Sequence, residues 1–296
     1  MVDLTTLTTE KSNPDSQNFS SMSIEEAVTL MNEEDMNAVR AVTMAKPMIV
    51  KVIEQSSKTL QNEGRLIYCG AGTSGRLGVL DAVECPPTFG VDYNTVVGLM
   101  AGGESAFVKA KEGAEDSPEL GKQDLQAISL TSKDMVIGLA ASGRTPYVIG
   151  ALEYAQRIGC PTAAVVCSAD SAISKICPMT ITLLPGAEVL TGSTRLKSGT
   201  ATKMVLNMIS TISMKSIGKI YKNYMVDVKM TNEKLRARGV NIIRTLTGCT
   251  PKQAQAALEE AGNEVKTAVV MVARGVDCDD ANALLKKANG FIDHIA

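Results

Sequence analysis

The sequence has no tryptophan and one histidine, His294, close to its C-terminal end. Scarce histidine excludes histidine-based triads and polyhistidine metal sites within one chain. Acid–base work then falls to carboxylates, Lys, Tyr or Cys. His294 itself reads as part of a frayed tail. Among the seven cysteines, Cys69, Cys85, Cys160, Cys167, Cys177, Cys249 and Cys278, there is no C-x-x-C pair. They read as free, mostly buried thiols of a reducing cytosol. Cys85 adjoins Glu84 but has no histidine nearby in sequence to activate it. No apolar run approaches the ~18 residues of a spanning helix, and the first residues lack the basic and apolar regions of a signal peptide. The expected setting is cytoplasmic. A net charge of -2 provides no global field toward nucleic acid or an anionic membrane.

What is present is a chain of 296 residues, 45% hydrophobic, enough for one sizeable α/β core with smaller additions. The fold class read from it is a doubly wound parallel sheet with N-terminal helices and a small C-terminal three-helix bundle. The expected division is an arm with helices over 1–54, an α/β domain over 55–220 and a helical region over 221–296. In the polar arm, Asn13-Pro14 breaks any helix. Ser23-Ile-Glu-Glu26 is a capping box that opens a helix, and a second helix is expected from about Pro47 to Asn62. Strand-like runs then alternate with helices. Leu66–Cys69, Asn94–Met100, Asp134–Ala140, Thr162–Cys167 and Met179–Leu184 are the strands, and Pro146–Ile158 is the clearest helix between them. Units of this size imply parallel pairing, with ligands at the carboxyl ends of the strands. A methionine-rich helix is expected over about Thr200–Lys219. Three short helices, beginning near Thr250, Glu264 and Asp279, resemble ubiquitin-associated-type modules and are read as a structural cap or dimer element.

The chemistry concentrates around Gly70-Ala-Gly-Thr-Ser-Gly75. A glycine-rich turn between a strand and a helix start is an anion site: the backbone N–H groups converge and the helix N-terminus adds positive potential. The spacing fits the dinucleotide pattern G-x-G-x-x-G. That reading fails on the second strand, which ends Leu99-Met-Ala-Gly-Gly103 where an acidic residue is needed for ribose hydroxyls. Thr73 and Ser74 suit a terminal phosphate instead. Ser142-Gly-Arg-Thr145, before Pro146, repeats the chemistry with two hydroxyls at a second helix start, where ordinary capping is the competing reading. Glu84 precedes Cys85-Pro86-Pro87, read as a rigid helix exit that leaves a carboxylate at an unfavourable C-terminus. Glu112 and Glu115 share one face if their segment is helical. Thr191-Gly-Ser-Thr-Arg-Leu-Lys-Ser-Gly199 forms a third polar loop.

The runs "GAGTSGRLGVLDAVECPPTFG", "AGGESA", "EGAED", "ASGRTPYVIG" and "LTGSTRLKSGTATKMVLNMIST" resemble the bacterial N-acetylmuramic acid 6-phosphate etherases over nearly the whole chain. The arm departs from that family's Thr-Glu-x-Arg-Asn-Pro, having Lys11-Ser12 before Asn13-Pro14. The resemblance implies a sugar-isomerase-type (SIS) domain, a homodimer, no metal and no organic cofactor, with no nucleic-acid or membrane partner. It implies cleavage of a D-lactyl ether to N-acetylglucosamine 6-phosphate and D-lactate, with Glu84 and Glu115 as the catalytic pair. Thr73, Ser74, Ser142 and Thr145 are then the expected phosphate contacts. Glu112, Arg195 and Lys197 are lesser candidates for the sugar or the lactyl carboxylate. An aldose–ketose phosphosugar isomerase, a non-enzymatic phosphosugar sensor and, more remotely, a nicotinamide-dependent dehydrogenase are the alternatives.

Overall fold

A computed structural model describes residues 8–109, 111–230 and 232–295. The chain forms two compact units. The first comprises 1–82 and 94–210, the second 83–93 and 211–296.

The arm of the first unit is not loose. It forms 3-10 turns at Thr8–Glu10, Pro14–Ser16 and Phe19–Ser21. The Asn13 side-chain amide donates to the Ala187 carbonyl (3.1 Å) and to Glu34 (2.6 Å), and the Ser16 hydroxyl to the Val189 carbonyl (2.8 Å). Helix α1, Ile24–Gln61, begins with the expected capping box at Ser23. It continues through Pro47, so the two expected helices are one. A proline inside a helix removes one N–H and crowds the carbonyl four residues back. Here its ring lies on the exposed side, while Ala41, Val42, Ala45, Ile49, Val52 and Ile53 keep one buried stripe on the other. The packed face outweighs the local break.

Strands β1 (Leu66–Gly70), β2 (Val96–Met100), β3 (Met135–Ala140), β4 (Thr162–Val166) and β5 (Thr180–Thr182) form one parallel sheet in the order β2-β1-β3-β4-β5. Strands β1, β3 and β4 are buried throughout, as a sheet covered on both faces requires. Gly70 pairs with Met100 on one side and with Leu139 on the other, so the carboxyl ends of β1, β2 and β3 are level. The order reverses between β1 and β3, which places a crevice there. Helix α2 (Gly72–Phe89) follows β1. After β2 come α3 (Ser105–Val108), a 3-10 turn at Ala114–Asp116 and α4 (Pro118–Ala127). Helices α5 (Pro146–Ile158) and α6 (Ala172–Ile176) follow β3 and β4, and α7 spans Lys197–Lys215. Leu125, Tyr147, Val148, Ala151 and Leu152 of α4 and α5 pack against Ile67, Cys69, Val136 and Ala140.

Helix α2 also corrects an expectation. Pro86 and Pro87 lie inside it rather than ending it. They fall in the last turn, where few carbonyls lose a partner, and the Gly90 N–H closes on the Pro86 carbonyl at 2.9 Å. Glu84 therefore sits within the helix, and the argument from its C-terminal dipole no longer applies. The segment around Glu112 is a turn rather than a helix, so Glu112 and Glu115 do not share a helical face.

The second unit contains a hairpin, β6 (Ile220–Tyr221) with β7 (Tyr224–Met225), that the sequence reading did not anticipate. Helices α8 (Glu233–Thr247), α9 (Pro251–Glu260), α10 (Val265–Arg274) and α11 (Cys278–Lys287) follow. They close on a core that includes Ile243, Leu258, Ala268, Val269 and Ala281. Asp227 accepts from Lys266 (2.6 Å) and pairs with Lys219 (3.2 Å). The tail is anchored rather than frayed: His294 stacks on Phe291 and Arg274 donates to the Ile295 carbonyl.

Candidate active site

The loop after β1 is almost absent. Helix α2 starts at Gly72, so Thr73 and Ser74 occupy its first turn, where the backbone N–H groups have no intrahelical acceptor. Glycine makes this possible. A Cβ on Gly75 would stand 2.6 Å from the Gly70 carbonyl oxygen, and one on Gly70 would stand 2.8 Å from the Gly75 nitrogen. The helix start is thus pressed onto the strand end. Gly72 takes φ +54 in open space. Among the described residues, the hydroxyls of Thr73 and Ser74 have no hydrogen-bond partner.

The same chemistry recurs across the crevice. Thr145 is the N-cap residue of α5, yet its side chain makes no capping bond. Ser142, in the loop after β3, likewise has no partner among the described residues. Helices α4 and α6 differ: Ser117 and Ser171 cap them conventionally. At α7 the first N–H groups of Lys197 and Ser198 donate to buried Glu188, at 3.0 and 2.9 Å. That N-terminus is closed by the protein's own carboxylate, a role with no signature in the sequence. The first turn of α7 still reaches Thr73, because a Cβ on Gly199 would lie 3.6 Å from Thr73 Cγ2.

A cavity of about 230 Å³ opens beside Ala71 and Gly72. Its wall carries Glu112, Glu115, Lys111 and Arg76. Arg76, which the sequence reading passed over, donates Nε to the Phe107 carbonyl and Nη2 to the Ala106 carbonyl, both at 2.8 Å. It fastens the segment after β2 to α2 and so shapes the wall. Glu112 and Glu115 thus meet through the folding of a turn, not through helical spacing. Glu84 is an exposed residue of α2 that belongs to the second unit. Arg195 is exposed in the third loop. Lys197 departs from expectation. It is buried, pairs with Glu34, and donates to the Ala187 carbonyl at 2.7 Å. Its ammonium is committed to holding the loop before α7 against α1.

Asp81 is a second residue the sequence reading missed. Burial pushes its carboxyl up to about 6, against the opposing effects of Tyr68, Ser210 and Lys203. The Ser210 hydroxyl donates to it at 3.1 Å. The cysteines are free as expected. Burial raises the Cys69 thiol to about 12 and the Cys167 thiol to about 11, so neither is a nucleophile near neutral pH. No group of three or more His, Cys, Asp or Glu suited to a metal ion occurs among the described residues.

Comparison with known proteins places this chain in a family. Residues 48–156 match the glucokinase regulatory protein N-terminal SIS domain, and residues 222–266 match the C-terminal lid domain of glucokinase regulatory protein. An N-acetylmuramic acid 6-phosphate etherase of Francisella tularensis subsp. holarctica is 57% identical over 289 residues, covering 98% of both chains. Relatives of the same name from Halalkalibacterium halodurans (53% identity; 97% of this chain and 96% of the relative) and Serratia proteamaculans (51%; 98% of both) align as completely. With identity of that degree along essentially its whole length, the chain belongs to the N-acetylmuramic acid 6-phosphate etherase family.

Proposed function

We propose that the protein cleaves the D-lactyl ether of N-acetylmuramic acid 6-phosphate, releasing D-lactate and N-acetylglucosamine 6-phosphate. The observation that carries this reading is one cavity in which the open N-terminus of α2 adjoins Glu115. A phosphate on the α2 turn puts a sugar within the same cavity as a carboxylate. The hydroxyls of Thr73, Ser74, Ser142 and Thr145, with the first N–H groups of α2 and α5, are the proposed 6-phosphate contacts. Glu112 and Arg195 are proposed contacts to the sugar.

The ether at C3 is a poor leaving group. Opening the ring to the aldehyde acidifies the hydrogen at C2, and a carboxylate removes it. The electron pair forms the C2–C3 double bond as the C3–O bond breaks, and a carboxylic acid protonates the departing lactate. Water adds to C3 of the resulting α,β-unsaturated aldehyde, and C2 regains a proton. We assign Glu84 as the acid that protonates lactate, and Glu115 as its partner at C2 or on the incoming water. Two carboxyl groups in opposite protonation states supply each proton transfer.

We also propose a homodimer and a cytoplasmic setting. Between Ile24 and Asn37 helix α1 has no buried residue, and Ile24 (85% exposed), Val28 and Met44 (81%) stand open along it. No helix among the described residues is long and apolar enough to cross a membrane. Incubation with N-acetylmuramate 6-phosphate followed by lactate assay tests the activity. Release of D-lactate supports it, whereas a ketose without lactate replaces it with an isomerase. Sedimentation velocity tests the dimer.

A further inference from the structure

The cavity wall contains a charge that the reaction above does not use. Lys111 lines the cavity beside Glu112 and Glu115. Its stem is seated on the backbone of Gly102, where a Cβ would stand 3.1 Å from Lys111 Cδ and 3.2 Å from its Cβ. Gly102 has φ +87, a conformation that side-chain-bearing residues rarely adopt. A bare backbone therefore supports the methylene stem and leaves the ammonium at its far end. Among the described residues, Lys111 has no hydrogen bond or ion pair. Among the described residues of the wall the other cation is Arg76, which already donates Nε and Nη2 to two main-chain carbonyls.

The ligand of the proposed reaction carries two separate anionic groups. The phosphate has the hydroxyls and the helix N-termini. On the etherase reading, the carboxylate of the lactyl ether faces a wall with two glutamates, and like charges repel. It needs a counter-charge. We propose that Lys111 binds this carboxylate and so determines specificity, separating ether-linked acids from phosphosugars that carry no acid. The assignment rests on the etherase reading of the cavity.

The test compares Lys111→Met and Lys111→Arg with the wild type. It measures kcat and KM for N-acetylmuramate 6-phosphate and the inhibition constant of N-acetylglucosamine 6-phosphate, which has no carboxylate. Loss of a charged hydrogen bond predicts a rise in KM of roughly 10- to 100-fold in Lys111→Met. The kcat and the inhibition constant should stay within about twofold, and Lys111→Arg should recover most of the loss. An unchanged KM overturns the proposal. So does an equal rise in KM and in the inhibition constant, since Lys111 would then hold a group common to both ligands. If the wild type releases no lactate, the etherase reading fails on its own. Calorimetric binding of N-acetylmuramate 6-phosphate then decides on Lys111: a tenfold loss of affinity in Lys111→Met supports it, and equal affinity refutes it.

Discussion

The two edges of the parallel sheet treat polar groups in opposite ways. At the amino edge, Arg65 donates Nε and Nη2 to the Asp134 carboxylate (3.0 and 2.8 Å) and two further bonds to the carbonyls of Ile128 and Ser129. The Thr131 N–H and hydroxyl also donate to Asp134. The Arg65 guanidinium and the Asp134 carboxylate are both satisfied by the protein itself. At the carboxyl edge, Thr73, Ser74 and Ser142 have none among the described residues, and Thr145 leaves its helix uncapped by a side chain. These hydroxyls are half-buried, which leaves them open to solvent or to a ligand. One edge holds the fold together, and the other carries the hydroxyls proposed for the phosphate.

Substitutions should separate the edges. The largest effect falls on the proposed acids: Glu115→Gln, and likewise Glu84→Gln, should lower lactate release by roughly 10²- to 10⁴-fold. Phosphosugar binding should survive, as equilibrium dialysis would record. If either variant turned over normally, its catalytic assignment would be wrong.

Next in size is the closed edge. Asp134→Ala strands the Arg65 guanidinium and should cost about 3 kcal/mol in urea unfolding, with KM unchanged. The pH dependence follows from the same contact. Burial alone would raise the Asp134 carboxyl, but the bonds from Arg65 and Thr131 hold it below its ordinary value. A carboxyl whose folded pKa is depressed contributes its stability above the unfolded pKa, and that contribution disappears as pH falls through the folded pKa. Wild type should therefore lose this increment on acidification below about pH 4, and Asp134→Ala should have none to lose.

Ser74→Ala comes third. It should raise KM by about tenfold and leave both kcat and the unfolding midpoint nearly unchanged. An unaltered KM would remove Ser74 from the phosphate cradle.

The smallest effect distinguishes two helix starts. Ser117→Ala removes a working cap and should cost about 1 kcal/mol of stability without altering kinetics. Thr145→Ala removes no capping bond, so its stability should hold while KM rises. Equal losses of stability in the two variants would show that α5 is capped like α4 and would dissolve the contrast between the edges.

Much of this was legible in the chain because it is local. The Ser23 capping box, the N- and C-terminal limits of α5 and the last three helices depend on residues within a turn of one another. Such signals act in any context. The glycine turn after β1 was legible for the same reason, although its loop was read as longer than it is. Glu112 and Glu115 were found as a pair by the wrong route, helical spacing, where a cavity wall brings them together.

By itself, the sequence determined the parallel α/β class, the hydroxyls and acids available to a site, and the scarcity of histidine. Periodicity and composition carry that information without any long-range contact. Only the tertiary structure decided that α1 runs through Pro47, that Lys197 is taken by Glu34, and that Glu188 closes one helix while two others stay open. Each of those outcomes is set by a partner distant in sequence. Burial and pairing, which fix whether a polar side chain is structural or available, belong to the folded neighbourhood rather than to the residue.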